Sequence, residues 1–357
     1  MYIYFFEAFL YLAFSFTAGY IALLFISEDA KPVMGLPATL FPYVLLSIPL
    51  FSFGSILNTT IILQDYAKQY SFLKVLFIVL SDYSFGHAWI WTLVLATVFF
   101  IISASVASPP GWFKWLYVLL WMLMLLANGW ASHPSSLSKF LGALSQIIHV
   151  GAVSVWLGVL IIVAWFADRN DEKNQKYERF LKWYTPLSIV CMSLIIIAGI
   201  SMMIIIVDGY LQSWTINYGE ALLLKHILLI PILILAFMNG FRSKISKEKR
   251  WTWLRMETIF AFSILLITGF MGVQEPPHAE EYESPVYSKL YMLLNSHYNG
   301  DPVNWGWSFT SLVGIVLGIV FFVVVCIKRK KFNPLHFVLF CLSGTALLFL
   351  GLLLAVV

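Results

Sequence analysis

Residues 140–167 read FLGALSQIIHVGAVSVWLGVLIIVAWFA, and residues 169–182, close behind them, read RNDEKNQKYERFLK. The first stretch holds one ionisable side chain, His149. The second carries Arg169, Lys173, Lys176, Arg179 and Lys182. A helix rises about 1.5 Å per residue and the hydrocarbon of a bilayer is about 30 Å thick, so about 20 apolar residues suffice to cross it. A long apolar run stopped by a basic connection predicts a transmembrane helix.

The rest of the chain repeats that pattern. Further apolar segments lie at 4–26, 38–63, 86–107, 113–131, 185–207, 218–241, 252–272, 305–327 and 336–356. The predicted fold is all-α, a polytopic transmembrane bundle of about ten helices. Of the 357 residues, 61% are hydrophobic and 11% charged, with a mean hydropathy of +0.86; a soluble domain carries about 25% charged residues to cover its surface. The net charge of +4 is therefore no sign of nucleic-acid binding. The stretch Phe72–Leu80 is apolar but too short to cross, and reads as an interfacial or re-entrant segment. Tyr2 to Phe6 and Glu7 open the chain without a basic leader region, which suits a first membrane helix better than a removable signal.

Charge sets the expected orientation. Beside the cluster after the fifth segment, Arg242, Lys244, Lys247, Lys249, Arg250 and Arg255 follow the seventh, and Lys328, Arg329, Lys330 and Lys331 follow the ninth. Alternate connections share a side, and the positive-inside rule puts these three in the cytoplasm and both termini outside. The opposite connections are lightly basic, with Lys68, Lys74, Lys139 and Lys289. The longest of them, 273–304, is polar and irregular, as a solvated loop is. No phosphate-binding loop, catalytic phosphoacceptor motif or ATPase domain is present, so no nucleotide partner is expected.

Six of the seven histidines fall on the outer side of this frame. His87 opens the third segment, His133 lies in the turn between the fourth and fifth, and His278 and His297 lie in the long loop. His149 stands about ten residues into the fifth segment, roughly 15 Å deep, and His226 about eight into the seventh. His336 is on the cytoplasmic side. An imidazole near the bilayer centre costs a few kcal/mol to insert and faces a bundle interior or cavity. Gly151, Ser154 and Gly158 form a small-residue stripe suited to close helix packing, with His149, Val153 and Trp156 on roughly the opposite face. A buried histidine hydrogen-bonded to a neighbouring helix accounts for His149 equally well on spacing alone. On the seventh segment, Tyr218 and Lys225 share a face; Lys225 is shallow enough to snorkel, and Glu220 suits a helix N-terminus. Met202 and Met203 lie in the outer half of the sixth segment. Cys191, Cys326 and Cys341 are widely spaced, without CxxC, and fall in cytoplasmic halves. Imidazole and thioether suit Cu(I) better than Cu(II), and thiolates suit tighter binding further in.

The run from His149 through Trp156 to Gly158 resembles the His-x-Gly-Ala-x-x-x-Trp-x-Gly signature of the copper-resistance protein D (CopD) family of bacterial membrane proteins. Tyr218, Gly219 and Lys225, with Asn239 and Arg242 following, are similar to that family's Tyr-Gly…Lys…Asn-Arg helix. Gly199, Pro276, Pro277 and the His133 turn also fit. The resemblance is best over about 130–278. It departs from the pattern where Gly-Phe separates Asn239 from Arg242, and 305–356 extends past it. On this reading 1–272 is a CopD-like bundle of eight helices, 273–304 an external loop and 305–357 a C-terminal transmembrane hairpin.

The resemblance implies copper transport or delivery, most simply uptake, at the bacterial cytoplasmic membrane, with an external copper-binding protein as partner and no enzymatic activity. The expected metal residues are His149, His133, His87, His226, His278, Met202 and Met203. Trp156, Tyr218, Glu220 and Lys225 are expected to be functional without an assigned role. Two alternatives stay open: a haem b-binding redox protein with His149 and His226 as axial ligands, and a cuproenzyme assembly factor that binds copper without moving it. No Ser/His/Asp or HExxH arrangement indicates a hydrolase.

Overall fold

The computed structural model describes residues 3–106, 111–168, 175–241, 247–277, 287–296, 298, 302–328 and 332–357. It is all-α. In chain order the helices are α1 (Ile3–Leu24), α2 (Leu40–Tyr66), α3 (Phe72–Asp82), α4 (Ser84–Ser105), α5 (Phe113–Trp130), α6 (His133–Leu137), α7 (Lys139–Phe166), α8 (Gln175–Ile206), α9 (Tyr210–Ser213), α10 (Asn217–Phe241), α11 (Lys247–Met271), α12 (Lys289–Leu294), α13 (Phe309–Lys328) and α14 (Pro334–Leu353). Ten of these are long and apolar enough to cross a membrane, and they match the ten segments read from the sequence. The chain divides into two compact units, 1–205 and 206–357.

In the first unit α7 is the central post, packed against α1, α5 and α6. The small residues of α7 explain the closest crossing. A Cβ on Gly158 would lie 1.8 Å from the Ser15 carbonyl oxygen, and one on Gly19 2.1 Å from the Gly158 carbonyl carbon. Only glycine on both sides lets α1 and α7 touch backbone to backbone. Toward the connection end an aromatic core fills the space between α1, α2, α4 and α5. Tyr20 stacks on Phe41 at 3.9 Å, and Phe99 and Tyr117 close around Phe41 at 5.6 and 5.9 Å. Outward, α4 and α8 present Val94, Val98, Ile197, Ile200 and Ile204. Such faces have no aqueous partner and suit lipid.

The short segment at 72–82 is a helix of 11 residues, about 16 Å long, too short to cross. Val75 and Val79 are buried while Leu73 and Phe77 are exposed, giving the two-faced character of an interfacial helix. The sharp turn into α4 needs Gly86, where a Cβ would strike the Val79 carbonyl.

The largest difference from the sequence reading is at the start of the sixth helix. The sixth span begins ten residues earlier than residue 185, because α8 continues through the basic connection. Tyr177, Phe180 and Tyr184 recur at helical spacing and are buried, with Phe180 stacked on Tyr184 at 4.8 Å. That apolar stripe holds the helix together beyond the hydrocarbon-length run. Trp183 donates its indole N–H to the Ala30 carbonyl at 2.8 Å, fixing this end of α8 to the α1–α2 connection.

In the second unit α10 packs on α11, α13 on α14, and α14 joins the pairs by packing on α10 and α11. The boundaries read above at 272 and 304 fall inside this unit. The α13/α14 hairpin is closed by small residues: a Cβ on Gly318 would lie 2.7 Å from the Leu348 amide nitrogen, and one on Gly351 2.6 Å from that of Ile315.

Candidate functional site

His149 lies eleven residues into α7 and is half-buried. It faces α8. Its Nδ1 is 3.0 Å from the carbonyl oxygen of Ile195, and a Cβ on Gly199, one turn on, would sit 3.5 Å from the imidazole Cε1. The glycine leaves room for the ring, and the carbonyl orients it. A carbonyl accepts and never donates, so Nδ1 carries the hydrogen and in the neutral ring Nε2 carries the lone pair. Histidines that bind metals are commonly held in this way, the second nitrogen donating to a carbonyl.

Polar and soft groups continue along the α7/α8 seam on both sides of His149. One turn toward the start of α7, Ser145 and Ser201 share a hydrogen bond of 2.8 Å. Two turns the other way, the Trp156 carbonyl accepts the Tyr184 hydroxyl at 3.0 Å, and Cys191 lies against the Trp156 backbone. Met202 and Met203, both half-buried, follow Gly199 by three and four residues and so share the side of α8 that Gly199 presents to α7. The Trp156 side chain is buried core.

The other sequence-predicted residues are dispersed. Exposed His87 points Nε2 at the Ser81 carbonyl and closes the end of α3. Exposed His133 opens α6. That turn folds back on α7, where Gly142 meets the Pro134 carbonyl, but Gly142 is about 10 Å along the axis from His149. His278 and His297 lie outside the described residues. In the second unit, Tyr210 and His226 Nδ1 share a hydrogen bond of 2.7 Å, and burial raises the Tyr210 phenol above its ordinary pKa, so the phenol stays protonated there. Tyr218 packs with Met271 and Phe270 at the end of α11. Lys225 is half-buried within its span and forms no ion pair among the described residues.

Glu220 has a structural task. It accepts the Ser288 hydroxyl and, at 3.0 Å, the Tyr291 amide, anchoring the segment that holds α12. Tyr291 in turn donates to the Val356 carbonyl at 3.0 Å, and Gln212 receives the Val303 amide at 3.0 Å. The described parts of the long polar connection are thus bound to the unit by side chains rather than merely solvated. Among the described residues no group of three or more His, Cys, Asp or Glu is gathered for a metal ion.

Two membrane carboxyls were not singled out from the sequence. Glu7 of α1 lies 3.5 Å from the Ser55 hydroxyl of α2, and Tyr11, one turn on, hydrogen-bonds Gln146 of α7. Glu257 of α11 is bonded to Asn239 of α10. Each is a lone acidic residue within an apolar span, and that interruption is the signal that could have found it.

Comparison with known proteins bears on the region from α8 to α11. Residues 178–271 match the sequence model of copper resistance protein D. About a quarter of the chain, from α8 to the end of α11, is thus similar to that family. The CopD match falls inside the 130–278 stretch where the resemblance was read, and contains Gly199, Met202, Met203, Tyr218, Glu220, Lys225, His226, Asn239 and Glu257. Inner membrane protein YebZ of Escherichia coli (strain K12) is 21% identical over 206 residues, covering 54% of this chain and 69% of that protein. Copper transport protein CutJ of Bacillus subtilis (strain 168) is 22% identical over 254 residues, covering 61% of this chain. The match spans 46% of the length of CutJ, under half of that protein. No solved structure matches. The ten membrane-length helices describe a multi-pass membrane protein, and its α8–α11 region is similar to copper resistance protein D.

Proposed function

We propose that this chain transports or delivers copper, in the uptake direction, across a bacterial cytoplasmic membrane, and that His149 is the central intramembrane ligand. The observation that carries this reading is the His149–Ile195 contact of 3.0 Å inside a membrane-length helix pair. It favours the tautomer in which Nε2 is the nitrogen suited to ligate a metal. Met202 and Met203 supply thioethers on the adjoining helix, and soft donors of this kind favour Cu(I). His133, with His87 and His278, captures the ion at the outer face, where an external copper-binding protein hands it over. Copper is the cargo and passes by exchange of ligands, without a chemical transformation of the protein. The basic connections lie in the cytoplasm, so the inside-negative potential favours entry by about 2.3 kcal/mol per charge per 100 mV. The CopD-like bundle 1–272 carries this route, with 273–304 as the external loop and 305–357 as an added hairpin.

The test is a titration of purified protein with Cu(I) against a competing chelator, run beside an absorbance scan. Wild type is expected to be colourless and to hold copper, and His149→Ala to hold it more weakly. A Soret band in wild type that disappears in His149→Ala would replace copper with haem b. Copper binding indifferent to the substitution would reduce His149 to a packing residue.

A further inference from the structure

Glu257 lies within the α11 span and its side chain is 2% exposed. Asn239 of α10, itself 6% exposed, donates from Nδ2 to Glu257 Oε2 at 2.7 Å. The same amide nitrogen is 3.4 Å from the Trp253 carbonyl. Trp253, Glu257 and Phe260 follow one another by four and three residues and form a single stripe on α11. Phe337 of α14 covers that stripe, its ring 5.2 Å from Trp253 and 6.5 Å from Phe260, nearly perpendicular to both. A carboxyl group thus sits between two aromatic side chains and opposite a third, with one amide to bond it.

The charged and titratable groups around it are few. From α10 comes the Asn239 amide. From α14 comes Phe337, with exposed His336 beside it bonded to Asn333 at 2.7 Å. On α11 itself Arg250 is buried two turns away, about 10 Å along the axis, and Arg255 lies round the opposite side. Among the described residues no Lys or Arg makes an ion pair with Glu257. A bare carboxylate here would be a buried charge with one hydrogen-bond donor, whereas the neutral acid avoids the cost of desolvating that charge.

We propose that Glu257 is a proton-binding site of the second unit, neutral at rest, which takes its proton from water on one side of the membrane and releases it to water on the other as copper moves. In that exchange the O–H bond breaks heterolytically, the electron pair stays on the carboxylate oxygen, and the proton leaves to water. The Asn239 amide remains as donor to the anion, and no oxidant or reductant takes part. The link to copper movement rests on the copper reading given above; the protonation of Glu257 does not.

The experiment uses the full chain in lipid vesicles and three proteins: wild type, Glu257→Gln and Glu257→Asp. Glu257→Gln is isosteric and keeps an acceptor for Asn239, and Glu257→Asp keeps an acid. At neutral pH the infrared difference between wild type and Glu257→Gln should contain the carbonyl stretch of a protonated carboxylic acid. With a pH-sensitive dye inside the vesicles, added Cu(I) should drive a proton flux through wild type. That flux should persist in Glu257→Asp and fall to the protein-free background in Glu257→Gln, while Glu257→Gln still binds Cu(I) as wild type does in detergent. Absence of the acid band, or an undiminished proton flux through Glu257→Gln, would overturn the proposal. A wild type that moves no copper would sink the copper reading, and the infrared band would still decide the proton site.

Discussion

Gly199 offers a graded perturbation of His149 that leaves the imidazole in place. A Cβ at this position would stand 3.5 Å from Cε1 and 3.6 Å from Nδ1, which is ordinary van der Waals contact. Gly199→Ala is therefore expected to leave Cu(I) affinity within a factor of about two, since each such atom pair is worth only ~0.1–0.2 kcal/mol. It should not lower thermal stability, because alanine favours the helix over glycine by about 0.5–1 kcal/mol. Gly199→Val is different in kind. A γ-carbon reaches about 1.5 Å beyond the β-carbon, and valine on a helix is nearly fixed in one rotamer. Aimed at the ring, that carbon would come within about 2 Å of it, where contact needs about 3.5 Å. The imidazole must swing away and give up the 3.0 Å contact with the Ile195 carbonyl. Loss of such an orienting bond costs about 10–100-fold in metal affinity. Chelator competition in detergent reads the affinity, and thermal unfolding of the same samples separates it from loss of fold. Equal damage from Ala and Val, or none from Val, would refute the claim that this carbonyl holds a metal-binding imidazole.

Two further predictions concern the scaffold. Gly158→Val should destabilise the first unit by about 1–3 kcal/mol or more through overpacking, because its Cβ would fall 1.8 Å from the Ser15 carbonyl oxygen; Gly111→Ala, with nothing within 4 Å, is the neutral control in the same melting assay. Glu220→Ala removes the acceptor for Ser288 and the Tyr291 amide, each lost partner worth about 1–3 kcal/mol when buried. Amide exchange across 287–296 should accelerate, with Glu220→Gln in between, and unchanged exchange would show that Glu220 does not hold this segment.

The ten spans were legible because hydrophobic length is a local property: each apolar run reports its own crossing without reference to a partner. The α8 boundary was not, since residues 175–184 are held in a helix by Tyr177, Phe180 and Tyr184 packing, and charge density hid that stripe. His149 was legible as an outlier in an apolar run, and the Gly151–Ser154–Gly158 stripe correctly marked a tightly packed face. What spacing could not supply was the partner: the Ile195 carbonyl and Gly199 lie on another helix, 46 and 50 positions along the chain. Glu220 looked like a helix-terminus carboxylate and proved to be a bracket for residues nearly 70 positions away. Glu257 and Asn239 form a pair only when α10 and α11 come together, and so read as two unrelated polar residues in one dimension.

The crossing of α1 and α7 also has a consequence in time. Gly19 and Gly158 touch backbone to backbone, yet about 140 residues of chain lie between them. At a synthesis rate of about 5–20 residues per second, α1 emerges roughly 7–30 s before the surface it is shaped to meet. Through that interval its groove of small residues waits beside whatever the insertion machinery or the lipid provides. The closest contact in the first unit thus waits for a partner that emerges long after α1 itself.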